Sequence, residues 1–286
     1  MFRTIKFSSI LVLALILVLY SCTTTHGGGN NNNNNSTTHV RGLGVDHAYT
    51  IVGDSDNEKT LLDFAELNEI SYLALYQMDQ ILNDISKTTA LDLFIKRAQD
   101  EYSLTNIVAV VTDTTTAQKV IDFNNAHSYT IDAINYECEY WNASVKCPSF
   151  SDYKTNLIWI HNNATGFTID ATITSASESE SADMKYYADR IFIRTYVAAP
   201  STAFNTISTQ LLYISPVDGT TTQAWPVFSN NSNYMGGWLS NWEQLKDGMQ
   251  DAENTLLSDL ESSSLTGSVE LSGFWYFKYS NFSGGI

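Results

Sequence analysis

Asn106-Ile107-Val108-Ala109-Val110-Val111-Thr112 is an apolar run of strand length. The amphipathic Thr116–Ala126 follows it, and then a second strand-like run, Ile131–Tyr140. Strand, helix, strand is the βα unit of a parallel sheet. The same alternation extends in both directions. Upstream, Leu43–Tyr49 and Ile70–Tyr76 read as strands, with helices over Leu61–Asn68 and Ala90–Tyr102. Downstream, strands are expected at Phe167–Thr174, Arg190–Val197, Ala224–Ser229 and Val269–Tyr279. Helices are expected over Tyr153–Asn162, Ser181–Asp189, Ala203–Ile214 and Trp238–Leu260. Eight strands, each but the last followed by a helix, in about 250 residues is the size of a (β/α)8 barrel. An open doubly wound sheet is the alternative, but no Gly-rich phosphate loop follows the first strand. No internal repeat or Pro-rich linker divides residues 39–286, which read as one domain.

The fourth strand carries the most informative residues, Asp132-Ala133-Ile134-Asn135-Tyr136-Glu137-Cys138-Glu139-Tyr140-Trp141. Side chains alternate across a strand, so Asn135, Glu137 and Glu139 share one face while Ile134, Tyr136, Cys138 and Tyr140 share the other. With the apolar set under the helices, an amide and two carboxylates point inward. Glutamates at i and i+2 repel, so one is protonated near neutral pH or both are held by donors. Glu139 and Trp141 fall at the C-terminal end, where barrel active sites assemble. The competing reading is an amphipathic edge strand with solvated glutamates; no Lys or Arg lies between Ile121 and Ser144.

The segment resembles the Asp-x-x-Asp-x-Asp-x-Glu motif of family 18 glycoside hydrolases, the chitinases and endo-β-N-acetylglucosaminidases, on Asp132, Asn135, Glu137 and Glu139. The resemblance implies a (β/α)8 barrel with the motif on strand four. It implies that Glu139 protonates the leaving glycosidic oxygen and that Glu137 orients the substrate's own 2-acetamido group as nucleophile. It also implies a Tyr after strand six, matched by Tyr196 in Arg194-Thr195-Tyr196, and an aromatic on the last strand under the sugar, matched by Trp275 in Gly273-Phe274-Trp275-Tyr276. Two family aspartates are replaced here by Asn135 and Glu137, and the usual Gly by Ala133. Substrate contacts are expected from Asn135, Asp132, Trp141, Trp275, Asp46 and Tyr76. Other polar residues at strand C-termini are His47, Tyr49, Gln77, Asp79, Thr112, Asp113, Asn230, Asn231 and Asn281; Trp225 and Trp238 are the further stacking platforms.

The first residues set the location. Arg3 and Lys6 precede an apolar run from Phe7 to Tyr20 that has the length of a signal-peptide core rather than of a membrane span. Leu19-Tyr20-Ser21-Cys22 resembles a bacterial lipobox, so residues 1–21 are expected to be removed and Cys22 to carry diacylglycerol and a further acyl chain such as palmitate. Two or three chains anchor stably where one does not. Residues 22–38, with three glycines and six consecutive asparagines, have no apolar surface to bury and are expected to form a disordered tether. Thr23 follows the cysteine, so no Asp marks inner-membrane retention; the outer membrane is expected, on either face.

A net charge of −16, from 31 acidic and 15 basic residues, argues against nucleic acid and against an anionic lipid face. High aromatic content, with 16 Tyr and 6 Trp, suits a neutral polar ligand such as a glycan. The five histidines are scattered, and neither a metal nor another cofactor is expected. Cys138 and Cys147 are free to pair in an oxidising compartment, though their spacing alone does not establish it. Two functions remain: a lipid-anchored glycosidase cutting a β-linked N-acetylhexosamine-containing glycan, or a non-catalytic glycan-binding or structural surface lipoprotein on a degenerate barrel.

Overall fold

The Ile107–Val111 run is the third strand of a closed parallel barrel. The structure is a computed structural model and describes residues 39–282 apart from 103, 143, 145, 216–221, 232 and 236–244. The chain divides into residues 1–37 and 38–286. The expected signal peptide (residues 1–21), Cys22, the expected tether (residues 22–38) and Trp238 all lie outside the described residues.

In chain order the strands are β1 (Val40–Val45), β2 (Ile70–Leu75), β3 (Asn106–Val111), β4 (Ala133–Tyr136), β5 (Thr168–Ile173), β6 (Arg190–Arg194), β7 (Thr222–Ser229), β8 (Val269–Leu271) and β9 (Gly273–Phe277). Each of β1 to β6 pairs in parallel with the next, β6 pairs with β7, β7 with β9, and β9 with β1, so eight strands close a ring. This is a single (β/α)8 barrel. The last strand is read from sequence as one run over 269–279; it is split at Ser272. β8 pairs with β7, while β9 pairs with both β7 and β1.

The helices are α1 (Ala48–Ile51), α2 (Ser55–Leu67), α3 (Met78–Asn83), α4 (Ile85–Tyr102), α5 (Thr114–Ala126), α6 (Phe150–Asn163), α7 (Glu178–Tyr187), α8 (Ala203–Ile214), α9 (Leu245–Glu261) and α10 (Tyr279–Phe282). Four of these starts are fixed by short polar side chains that accept from backbone N–H groups otherwise left without a partner. Asp54 caps α2, Asp113 caps α5, Ser149 caps α6, and Ser177 with Glu180 forms a capping box on α7.

Strand alternation sorts the apolar residues into two cores. Leu43, Leu73, Ile107, Ile134, Ile169, Ile191 and Phe274 point outward into the layer beneath the helices. Tyr72, Val108, Ala133, Phe192, Trp225, Val227 and Trp275 fill the barrel interior. Trp225 and the flanking Phe277 fit there because glycines face them. A Cβ on Gly273 would sit 2.5 Å from the Trp225 ring, and one on Gly44 would sit 2.8 Å from Phe277.

Two buried ion pairs brace this frame. Arg41 on β1 donates to both carboxylate oxygens of Glu253 on α9, at 2.7 and 2.9 Å, and Tyr276 on β9 donates to the same group at 2.9 Å. Inside the barrel, Arg190 grips Asp170 at 2.6 and 3.0 Å, and the Tyr72 hydroxyl also donates to Asp170. Desolvation nevertheless raises the Asp170 carboxyl to about 6, Arg190 and Tyr72 offsetting part of it.

Candidate functional site

β4 ends at Tyr136, where its ladder with β3 reaches Val111. The strand expected over Ile131–Tyr140 therefore ends four residues earlier and begins two later. Glu137 N still donates to Val111 O, after which a turn over Tyr140–Asn142 carries the chain across the mouth. Alternation holds up to this point. Asn135 is buried on the inner side, with Thr172 of β5 donating to its Oδ1 at 3.1 Å. Glu137 comes next on the same side, and Glu139 follows on the turn rather than on the strand.

Cys138 and Cys147 are joined, and both are buried. The disulfide closes a short loop whose residues Glu139, Asn142, Ser144 and Lys146 form one wall of a cavity of about 580 Å³. Tyr76, Val110, Thr112, Glu137 and Cys138 complete the lining. That volume lies within the range of small-molecule sites, and its position is the C-terminal face of the barrel.

Both glutamates are held by donors. Tyr76 donates its hydroxyl to Glu137 Oε2 at 2.7 Å, and Arg194 at the end of β6 donates to Glu137 Oε1. The same Arg194 Nη2 pairs with Glu139 Oε1, and Asn142 donates to Glu139 Oε2 at 2.6 Å. Burial pushes the Glu139 carboxyl up, but the Asn142 bond and the Arg194 charge outweigh it and hold the group below the usual carboxylate range. Burial also pushes the Tyr76 phenol well above its ordinary value, with the Glu137 charge adding to it, so Tyr76 remains a donor.

Aromatic rings surround the guanidinium, which lies 5.4 Å from the Trp141 ring centre and 5.7 Å from that of Tyr196. Tyr196 packs 5.1 Å from Tyr234, which is 38% exposed and so offers a ring face at the surface. Further along the disulfide loop, Lys146 Nζ donates to Thr112 Oγ1 at 2.8 Å and to Asp113 Oδ2 at 2.6 Å.

The structure thus brings together Glu137, Glu139, Tyr76, Trp141 and Tyr196. Asn135 sits beneath them, its Nδ2 without a partner among the described residues. Trp275 is also deeper than a cavity floor. It is buried in the barrel interior and touches the site through Tyr76, at 6.4 Å between ring centres. Trp225 lies in the same interior layer. Asp132 lies at the other end of β4, where its carboxylate accepts from Ile107 N at 2.8 Å. Asp46 is at the mouth but away from the cavity, bound by Ser280 N and Oγ at 3.1 and 2.7 Å and by Lys278 at 3.0 Å.

Arg194 and Lys146 join the site, though no sequence motif named above assigns either a role. Alternation along β6 places Arg190, Phe192 and Arg194 on the inner face with Tyr196, which is the signal that finds the arginine. Lys146 owes its place to the disulfide, which no periodicity reveals. Among the described residues no group of three or more His, Cys, Asp or Glu is arranged to hold a metal ion, and no helix is long and apolar enough to cross a membrane.

No family model matches the chain, and no curated protein matches it. Among solved structures it is similar to the crystal structure of the Bacillus cereus spore cortex-lytic enzyme SleL, at 12% sequence identity and a TM-score of 0.49, over 86% of this chain and 74% of that one. A likeness of that degree assigns no activity to this chain.

Proposed function

We propose that this chain is a lipid-anchored cell-envelope protein whose barrel takes a β-linked N-acetylhexosamine-containing glycan into its C-terminal mouth. One observation carries the reading: Glu137 and Glu139 line one open cavity with Tyr76, and the Arg194 that both glutamates meet is flanked by the rings of Trp141 and Tyr196. Carboxylates and a phenol offer acceptors and a donor to sugar hydroxyls and amides, and rings offer faces to the apolar side of a pyranose. In its fuller form the reading is hydrolytic. Glu139 then protonates the glycosidic oxygen, Glu137 steers the substrate's acetamide, and Tyr196 bonds its oxygen. A net charge of −16 speaks against a nucleic-acid partner.

Titration calorimetry with chitotetraose tests the site. Saturable binding is expected, weakened at least tenfold in Glu137→Ala; binding of equal strength in that variant overturns the assignment. The anchor has its own test. Labelled palmitate is expected in the wild-type protein made in a diderm bacterium and absent from Cys22→Ser, which leaves the membrane fraction. Equal labelling of the two excludes Cys22 as the acylated residue.

A second reading is non-catalytic glycan binding on a degenerate barrel. It is favoured by the Arg194 contact that keeps Glu139 in its charged form.

A further inference from the structure

Family-type glycoside cleavage needs Glu139 as a neutral acid. Its proton passes to the glycosidic oxygen as the C1–O bond breaks and the acetamide oxygen closes on C1. Water then adds at C1 as the bond from C1 to the acetamide oxygen breaks and the acetamide is restored, and the proton lost by the water goes to the Glu139 carboxylate. A carboxylate gripped by a guanidinium has no such proton to give. Arg194 is the group in the way: through one nitrogen it meets both Glu137 and Glu139.

We propose that Arg194 is a latch on Glu139, a positioning residue that decides whether the barrel only holds its glycan or cuts it. Its grip is built by three neighbours. Glu137 is fixed from the other side by Tyr76, so it presents a set oxygen to the arginine. Trp141 and Tyr196 flank the guanidinium plane. Asn142 turns Glu139 toward it. The guanidinium is half-buried, where Coulomb attraction is less screened than in bulk water. The other charged groups near Glu139 do not replace it. Lys146, on the same loop as Glu139, is already bound to Asp113, and Tyr76 and Tyr196 are phenols held neutral by burial. A ligand group that draws Arg194 away leaves Glu139 beside Glu137 without its counter-charge. Two adjacent carboxylates then favour binding one proton, which arms the acid.

This inference rests on the site proposed above, but its first readout needs no sugar. The carboxyl titration of Glu139 is read by infrared difference between each background and its Glu139→Gln derivative. In Arg194→Met the proton affinity of Glu139 is expected to rise at least tenfold over wild type, with Arg194→Gln giving the same direction should the methionine variant fold poorly. An unchanged titration in a folded variant overturns the latch. The second readout is turnover of chitotetraose across pH. Arg194→Met is expected to gain at least tenfold, with activity extending to higher pH and lost again in the Arg194→Met, Glu139→Gln double variant. A shifted titration with no turnover in any variant supports the latch and counts against hydrolysis. A wild-type protein already faster than Arg194→Met overturns the latch.

Discussion

Asp170 and Glu139 are carboxylates beside arginines in one barrel, and their acidities move in opposite directions because their burial differs. Asp170 is wholly enclosed, so desolvation outweighs Arg190 and Tyr72 and its carboxyl rises to about 6. Glu139 is open to the cavity, so the desolvation cost is smaller and its donors win. The sign for stability follows from linkage. Between the unfolded Asp value near about 4 and its folded value of about 6, the folded chain binds the extra proton, so Asp170 makes stability fall as pH rises through that window. The melting temperature of wild type relative to Asp170→Asn is expected to drop between these pH values; a difference that stays constant or rises contradicts the assignment. Residue-scale chemistry was only partly legible in the sequence. Alternation gives the inward face of Asn135 and Glu137, but which donor meets each carboxylate depends on β2 and β6 crossing the barrel to reach them. The choice between one protonated glutamate and two held by donors is settled by Tyr76, Asn142 and Arg194.

At the scale of the element, the segment after β4 is a stapled loop rather than more strand. Periodicity extends the strand to Tyr140 because Tyr136, Cys138 and Tyr140 continue the apolar alternation. The ladder stops earlier because the Cys138–Cys147 bond draws the chain aside and Glu139 turns to meet Arg194. Long apolar helices and strands were readable for the reason that their burial is repeated every turn or every second residue. Short pieces such as α3 and the split between β8 and β9 carry too few residues for that signal. The staple has a measurable weight. Closing a loop of about ten residues removes unfolded-state entropy equivalent to about 2–3 kcal/mol. The Cys138→Ser, Cys147→Ser double variant is expected to lose about that much in chemical denaturation, and its Lys146 to acylate faster than in the parent. An equally stable variant with unchanged Lys146 reactivity contradicts a structural staple.

For the molecule as a whole, the barrel separates stability from chemistry along its axis. Asp170 with Arg190, and Asp132 before β4 accepting from Ile107 N of β3, serve the lower part of the barrel and the N-terminal strand ends. Trp225, Trp275 and Phe192 plug the centre, and Glu137, Glu139, Arg194 and Lys146 gather at the mouth. Arg41 and Glu253 hold the last long helix, α9, against β1 across 212 positions of sequence, a contact no local pattern announces. The ring of eight strands was legible from their order alone, whereas the lining of the mouth needed the three-dimensional closure. The central claim is that a glycan occupies this mouth, and a crystal of the complex with chitotetraose tests it most directly. The account predicts a sugar ring within hydrogen-bond distance of Tyr76, Glu137 or Glu139. Sugar seated elsewhere, such as the smaller cavity between Phe204 and Leu265, with the mouth empty at saturating ligand, would contradict it.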